Sequence, residues 1–281
     1  MRIKNFVILT AILLQALLVK ADGLLCTQLF DRTFKVNEFI IQVTGKKQSE
    51  SLIALAHENL TLDIEITSLN RILNLIKNDG IEGLTSEDRE FIIQFRQSSS
   101  FLRSIYQTSD KRHQSPVDFG NFVKDFGVLK DYLLLEDSYN TKKLAKKILK
   151  KYSELDFQNL IEDTKPASKK SVRKYFKNIL NDTQSIMAKQ TMTVDELHDV
   201  RKNLRDVLRY MQITSEIKGE QETEQIQFLK KINSKLGEIC DENAGRILMG
   251  EITEDTLIEF PGKIRPRVMH FLANFQILTK N

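Results

Sequence analysis

A chain of 281 residues has room for one or two domains around a sizeable core, and its hydrophobic content is ordinary, with 4 Pro, 11 Gly and no Trp. Lys and Arg number 42 against 38 acids, but Arg2, Lys4 and Lys20 fall in an N-terminal leader, which leaves 39 against 38 in the remainder. That balance excludes bulk charge as an argument for a nucleic-acid partner, so only local patterning can speak for an anionic ligand.

Residues 1–21 read as a secretory signal peptide: a basic start at Arg2 and Lys4, a mostly apolar run from Phe6 to Val19, and a small-residue end at Ala21. The run is too short and too poorly flanked for a transmembrane helix, and Leu25 before Cys26 makes a poor lipobox. The expected product is an exported protein, periplasmic or secreted, with no stable membrane insertion after cleavage; an uncleaved N-terminal anchor is the alternative. The two cysteines, Cys26 and Cys240, could pair in an oxidising compartment, or Cys240 packs as a free, small hydrophobe. His57, His113, His198 and His270 are far apart in sequence, and no Cys/His spacing resembles a zinc site. Neither a metal nor another cofactor is expected.

Helical periodicity runs through most of the remaining chain, and runs of alternating β-branched residues are few. Helices are predicted over 29–43, 49–56 and 60–76, the last ending near Asp79-Gly80. Thr85 followed by Asp88 marks the next start, with Ile92, Phe95, Ser99 and Leu102 along one side of a helix over 91–106. The polar stretch 108–117 reads as a loop, and helices follow over 119–132 and 141–160. Residues 164–167, carrying Pro166, form the clearest linker and divide a first half, 22–163, from a second half, 168–281. A helix over 168–187 opens the second half. Thr193 and Glu196 then form a T-x-x-E capping box that starts a helix over 194–218, ended by Gly219. Leu197, Val200, Leu204, Val207, Leu208 and Met211 make its apolar stripe. Over 223–243, Ile226, Leu229, Ile232, Leu236 and Ile239 turn inward. A short helix over 253–260, a turn at Pro261-Gly262 and a helix over 267–278 close the chain. The class is all-α.

Charge is concentrated in two places. Residues 141–178 hold 12 Lys and Arg against 4 acids. Lys142, Lys146 and Lys150 form one row at helical spacing, Lys143, Lys147 and Lys151 the next, and Lys170, Arg173, Lys174 and Lys177 repeat the arrangement beyond the linker. Like charges four apart cost about 0.2–0.5 kcal/mol per pair, a cost that a polyanion would relieve. On the helix over 194–218, His198, Arg201, Arg205 and Arg209 share one flank and offer bidentate forks to phosphate oxygens, unless Asp195, Asp199 and Asp206 simply neutralise a solvated face.

An internal repeat joins these features. Leu236-Gly237-Glu238-Ile239-Cys240-Asp241 matches Phe126-Gly127-Val128-Leu129-Lys130-Asp131, and an Arg-bearing helix precedes each, with Arg96 and Arg103 upstream of the earlier copy. The helical Gly permits close packing, and the Asp one turn on is placed to orient an Arg of the facing helix.

The pattern H-x-x-R-x-x-x-R at His198, Arg201 and Arg205, followed by Arg209-Tyr210 and then by Leu236-Gly237-Glu238 and Asp241, resembles the CHAD family. Arg96, Arg103, Gly127 and Asp131 give the first half a fainter match, with Ile93 in place of the histidine and Ser100 in place of a basic residue. The resemblance implies two pseudo-repeated, antiparallel four-helix bundles with a basic cleft between them. It also implies binding of inorganic polyphosphate, or a similar polyanion, by Lys and Arg of both bundles, Lys146 and Lys150 included, without catalysis. Two other classes stay open: an exported helical interaction module whose anion cleft has decayed, and a phosphate-processing enzyme, for which no P-loop or nucleophile–base set is visible. Nucleic acid is disfavoured because aromatic residues are not interleaved with the basic ones.

Overall fold

The computed structural model describes residues 34–63, 66–157 and 159–279; the leader, Cys26 and the start of the helix predicted over 29–43 lie outside the described residues. Strand β1 (Phe39–Val43) leads into α1 (Lys46–Asp63) and α2 (Ile66–Asp79), followed by α3 (Ser86–Ser109), α4 (Val117–Leu134) and α5 (Ser138–Lys151). After residues 152–168 come α6 (Lys169–Met187), β2 (Thr191–Thr193), α7 (Val194–Ile217) and α8 (Glu224–Leu248). Strand β3 (Leu257–Glu259), α9 (Arg265–Asn274) and β4 (Phe275–Thr279) complete the chain. The described residues are mainly helical, and no helix among them is long and apolar enough to cross a membrane.

Local chemistry fixes the ends of the long helices. Thr85 and Thr193 each close a capping box, on Asp88 for α3 and on Glu196 for α7, and Ser168 and Thr223 cap α6 and α8. Gly219, at φ 66°, ends α7 in a Schellman motif: Glu220 N donates to Ser215 O at 3.0 Å and Gly219 N to Glu216 O at 2.9 Å.

Four predicted helices are replaced or cut short, each by a contact made far along the chain. Residues 39–43 form a strand whose side chains alternate between full and partial burial, and it pairs in parallel with β4, Ile41 opposite Ile277. The helix predicted over 267–278 therefore stops at Asn274, and its tail is β4. The stretch 253–260 is no helix either. It pairs as β3 with β2, and its carbonyls at Thr256 and Glu254 accept from Val194 N and Asp195 N, two donors that the first turn of α7 cannot satisfy within itself. The helix expected over 141–160 ends at Lys151, because the chain turns back to bury Phe157 against Phe95, Phe119 and Phe122.

One continuous core runs through both halves of the sequence. Helix α7 sits at its centre, packed on α1, α3, α6 and α8. The linker is tied in as well, since Ala167 N donates to Ser109 O at 2.8 Å and Pro166 bridges to Asp110. Tyr210 is fully buried, and its hydroxyl accepts from Thr44 N at 2.8 Å and so joins α7 to the β1–α1 connection.

Candidate anion-binding site

The buried stripe Leu197, Val200, Leu204, Val207, Leu208 and Met211 fixes the roll of α7. Its arginine flank consequently faces α3, where the small side chains of Ser100 and Ser104 let the two helices approach. Arg209 Nη1 donates to Ser100 O, to Ser100 Oγ at 2.9 Å and to Ser104 Oγ at 3.0 Å, while its guanidinium lies over the Phe101 ring at 5.7 Å. Asp206, fully buried beside it, accepts from Ser104 Oγ at 2.6 Å and Tyr175 Oη at 2.7 Å. Burial and the Asp206 charge hold the Tyr175 hydroxyl well above its ordinary pKa, so it stays a proton donor.

Around this crossing the structure gathers Arg96 and Arg103 from α3 with Arg201, Arg205 and Arg209 from α7, and Arg205 is within electrostatic reach of each of the other four. Burial, then Arg205, brings the pKa of Arg96 down to about 10, with Asp131 opposing. Burial depresses Arg205 and, further, Arg209; Asp206 offsets part of it in each. Guanidiniums in proteins are cations, so repulsion among them is a standing cost of this arrangement. The Nε of Arg205 is buried without a hydrogen-bond partner. A buried guanidinium donor left unmade costs more than a neutral one and is an opening for an acceptor.

The two Gly-x-x-x-Asp copies supply seats for two of these arginines. A Cβ added at Gly127 would meet Arg96 Nε at 2.9 Å, and one added at Gly237 would meet Arg201 Nη2 at 3.3 Å. Arg201 Nη1 lies 3.8 Å from Asp241 Oδ1, and Asp131 acts on Arg96. Lys130 stands between the two carboxylates, 2.7 Å from Asp131 Oδ1 and 3.9 Å from Asp241 Oδ1. Charges therefore alternate across the α4–α8 contact, from Arg96 through Asp131, Lys130 and Asp241 to Arg201.

Beside this network a cavity of about 290 Å³ opens between α4, α7 and α8. Val128, Val194, Cys240, Ala244, Ile247 and Leu248 give it apolar walls, and Asp131, Asp195, His198 and Glu254 are its polar groups. His198 keeps an exposed edge, yet the surrounding protein, together with Arg205, Arg201 and Lys202, pushes the imidazole down to about 4 against the pull of Asp195. It is therefore neutral in the free site at pH 6.5. Among the described residues Cys240 has no disulfide partner; it is buried in contact with Arg201, and burial pushes its thiol up to about 11. Among the described residues no group of three or more His, Cys, Asp and Glu side chains could hold a metal ion.

No protein-family model, curated protein or solved structure matches this chain.

The remaining basic residues stand elsewhere. Lys170, Arg173, Lys174 and Lys177 are exposed on α6, whose inward side is Val172, Tyr175, Phe176 and Ile179. Lys146 and Lys150 are exposed on α5, and the adjoining Lys147 and Lys151 pair with Asp125 of α4. The structure thus unites Arg96, Arg103, Arg201, Arg205 and Arg209, sets His198 at their edge, and leaves the lysine rows on outer faces. Asp206 was legible only as a neutralising charge, and the roles of Ser104, Tyr175 and Lys130 carried no local signal. Their significance comes from which helix crosses which.

Proposed function

We propose that this protein binds a phosphate-rich anion, inorganic polyphosphate foremost, at the crossing of α3 and α7, and that it does so without catalysis. The observation that carries the reading is the assembly of five arginines with the buried Arg205 Nε left unpartnered. Six cations (these five and Lys130) face three carboxylates, Asp131, Asp206 and Asp241, so the neighbourhood retains positive charge that an oxyanion would neutralise. The matching Arg-on-Gly seats of the two halves support the pseudo-repeated CHAD-like architecture, from which the polyphosphate class is taken. Export is proposed on residues 1–21 alone.

The test is titration of the purified chain with polyphosphate at low and moderate salt, beside Arg201→Gln/Arg205→Gln. Binding by the wild type that weakens steeply with salt, and falls at least about tenfold in a folded double variant, is expected. Equal binding by the two proteins, or none by the wild type at low salt, would overturn the reading.

A further inference from the structure

The shape of the site narrows the ligand further, on the premise that the arginine crossing binds phosphate. We infer that it accepts one compact terminal phosphoryl group, the end of a phosphate chain or a short free polyphosphate, and does not grip the middle of a long chain.

Three observations carry this. First, the arginines are recessed: Arg96, Arg103, Arg201, Arg205 and Arg209 are all partly buried, and Arg201 retains only 23% of its side-chain exposure. A strand of phosphates running through would have to lie beside the carboxylates of Asp131, Asp206 and Asp241, which border the cluster and repel it. Second, the cations that could continue a track are not continuous with the cluster. Lys170, Arg173, Lys174 and Lys177 lie on the side of α6 opposite Tyr175, the residue through which α6 reaches Asp206. A polymer held at the arginines would not meet the α6 row on leaving the site. Third, the donors are not equivalent. Arg209 is already used on Ser100 and Ser104, so it shapes the site and is not free to grip. Arg205 keeps a buried donor in hand, and a terminal phosphoryl, with more charge and more free oxygens than an internal one, is the group best matched to a recessed cluster of forks.

The experiment compares pyrophosphate, tripolyphosphate and a long-chain polyphosphate on the full chain at neutral pH and low salt, with concentrations expressed as chain ends. The expected result is a single protein on pyrophosphate, no more than one per chain end on the longer ligands, and affinities that agree within about threefold across the three. Arg205→Lys, which keeps the charge but removes the Nε donor, should weaken all three by about tenfold. Long-chain binding with many proteins per chain, and no binding of pyrophosphate, would sink this inference and leave the anion-binding function standing. Failure of all three ligands to bind would remove both. Undiminished binding by a folded Arg205→Lys protein would overturn the assignment to Arg205, and the comparison among ligands needs no variant at all.

Discussion

At Gly127 the missing side chain makes room for a guanidinium, that of Arg96. The sequence offered this as a helical Gly followed one turn later by Asp, and in both copies the structure places an Arg of the facing helix over the Gly. Replacing Gly by Ala inside a helix contributes about 0.5–1 kcal/mol through backbone entropy. At Gly127 the new methyl would stand 2.9 Å from Arg96 Nε, which must move; at Gly237 the closest approach is 3.3 Å, which a few tenths of an ångström relieves. Gly127→Ala should therefore hold its stability within about 1 kcal/mol while losing about fivefold in anion affinity. Gly237→Ala should be as stable as the wild type or more so, with a smaller loss, and paired urea melts and titrations would show the split. Asp206 is the opposite case, a residue whose loss is paid in stability. It is fully buried, receives two hydroxyls and offsets Arg205 and Arg209. Asp206→Asn should destabilise the fold by about 3 kcal/mol, since it leaves buried cations uncompensated. Added pyrophosphate should stabilise that variant more than it does the wild type, which denaturant melts with and without the ligand would measure.

At the scale of elements, the helices with chemical punctuation were legible and the ends of the chain were not. The box at Thr85 and Asp88 and the box at Thr193 and Glu196 are formed as read, and the stripe of α7 is buried as read. Both signals are local, acting within one or two turns. Strand β1 was misread because Phe39, Ile41 and Val43 alternate over only five residues, a run too short to separate a strand from a helical segment. What decides it is β4, more than two hundred residues away and read as helix for the same reason. The stretch 253–260 went the same way: its strand exists to serve the unsatisfied donors of α7, which no window around it contains. The pairing of β1 with β4 also makes the two chain ends a joint support for the core. Ile41 is fully buried opposite Ile277, so Ile41→Ala should cost about 2–4 kcal/mol in equilibrium unfolding. Hydrogen exchange should then rise in β4 as much as in β1, whereas a strand independent of its partner would confine the change to residues 39–43.

For the whole molecule the deciding quantity is where charge sits, since the formal total of +4 is small for 281 residues. Two sets of cations stand apart, one exposed on α5 and α6, where water and salt screen the repulsion, and one recessed between α3 and α7, where they screen it far less. His198 reports on that repulsion through protons. In the free protein its imidazole, exposed at one edge, is held down to about 4, first by the protein that shields the rest of the ring from water and then by Arg205, Arg201 and Lys202. A histidine whose folded pKa lies below its unfolded value near 6.5 lowers stability as pH falls through that window, because the unfolded chain takes the proton first. The ligand-free wild type should accordingly lose more stability between pH 6.5 and 4 than His198→Gln does. An oxyanion seated among the arginines cancels part of their field, raises the imidazole, and so couples its own binding to proton uptake. Anion affinity should therefore rise as pH falls over the same interval, and should rise less in His198→Gln. Sulfate is the probe to use, since it does not itself titrate there. Asp195, Asp131 and Glu254 face the same cavity from α7, α4 and the β3 connection and are common to both proteins, so the difference between the two curves isolates the imidazole. Acid that weakens the empty fold while tightening its hold on the ligand is the pair of opposite signs that an arginine site beside this histidine requires; two curves that stay parallel would place the bound anion away from α7.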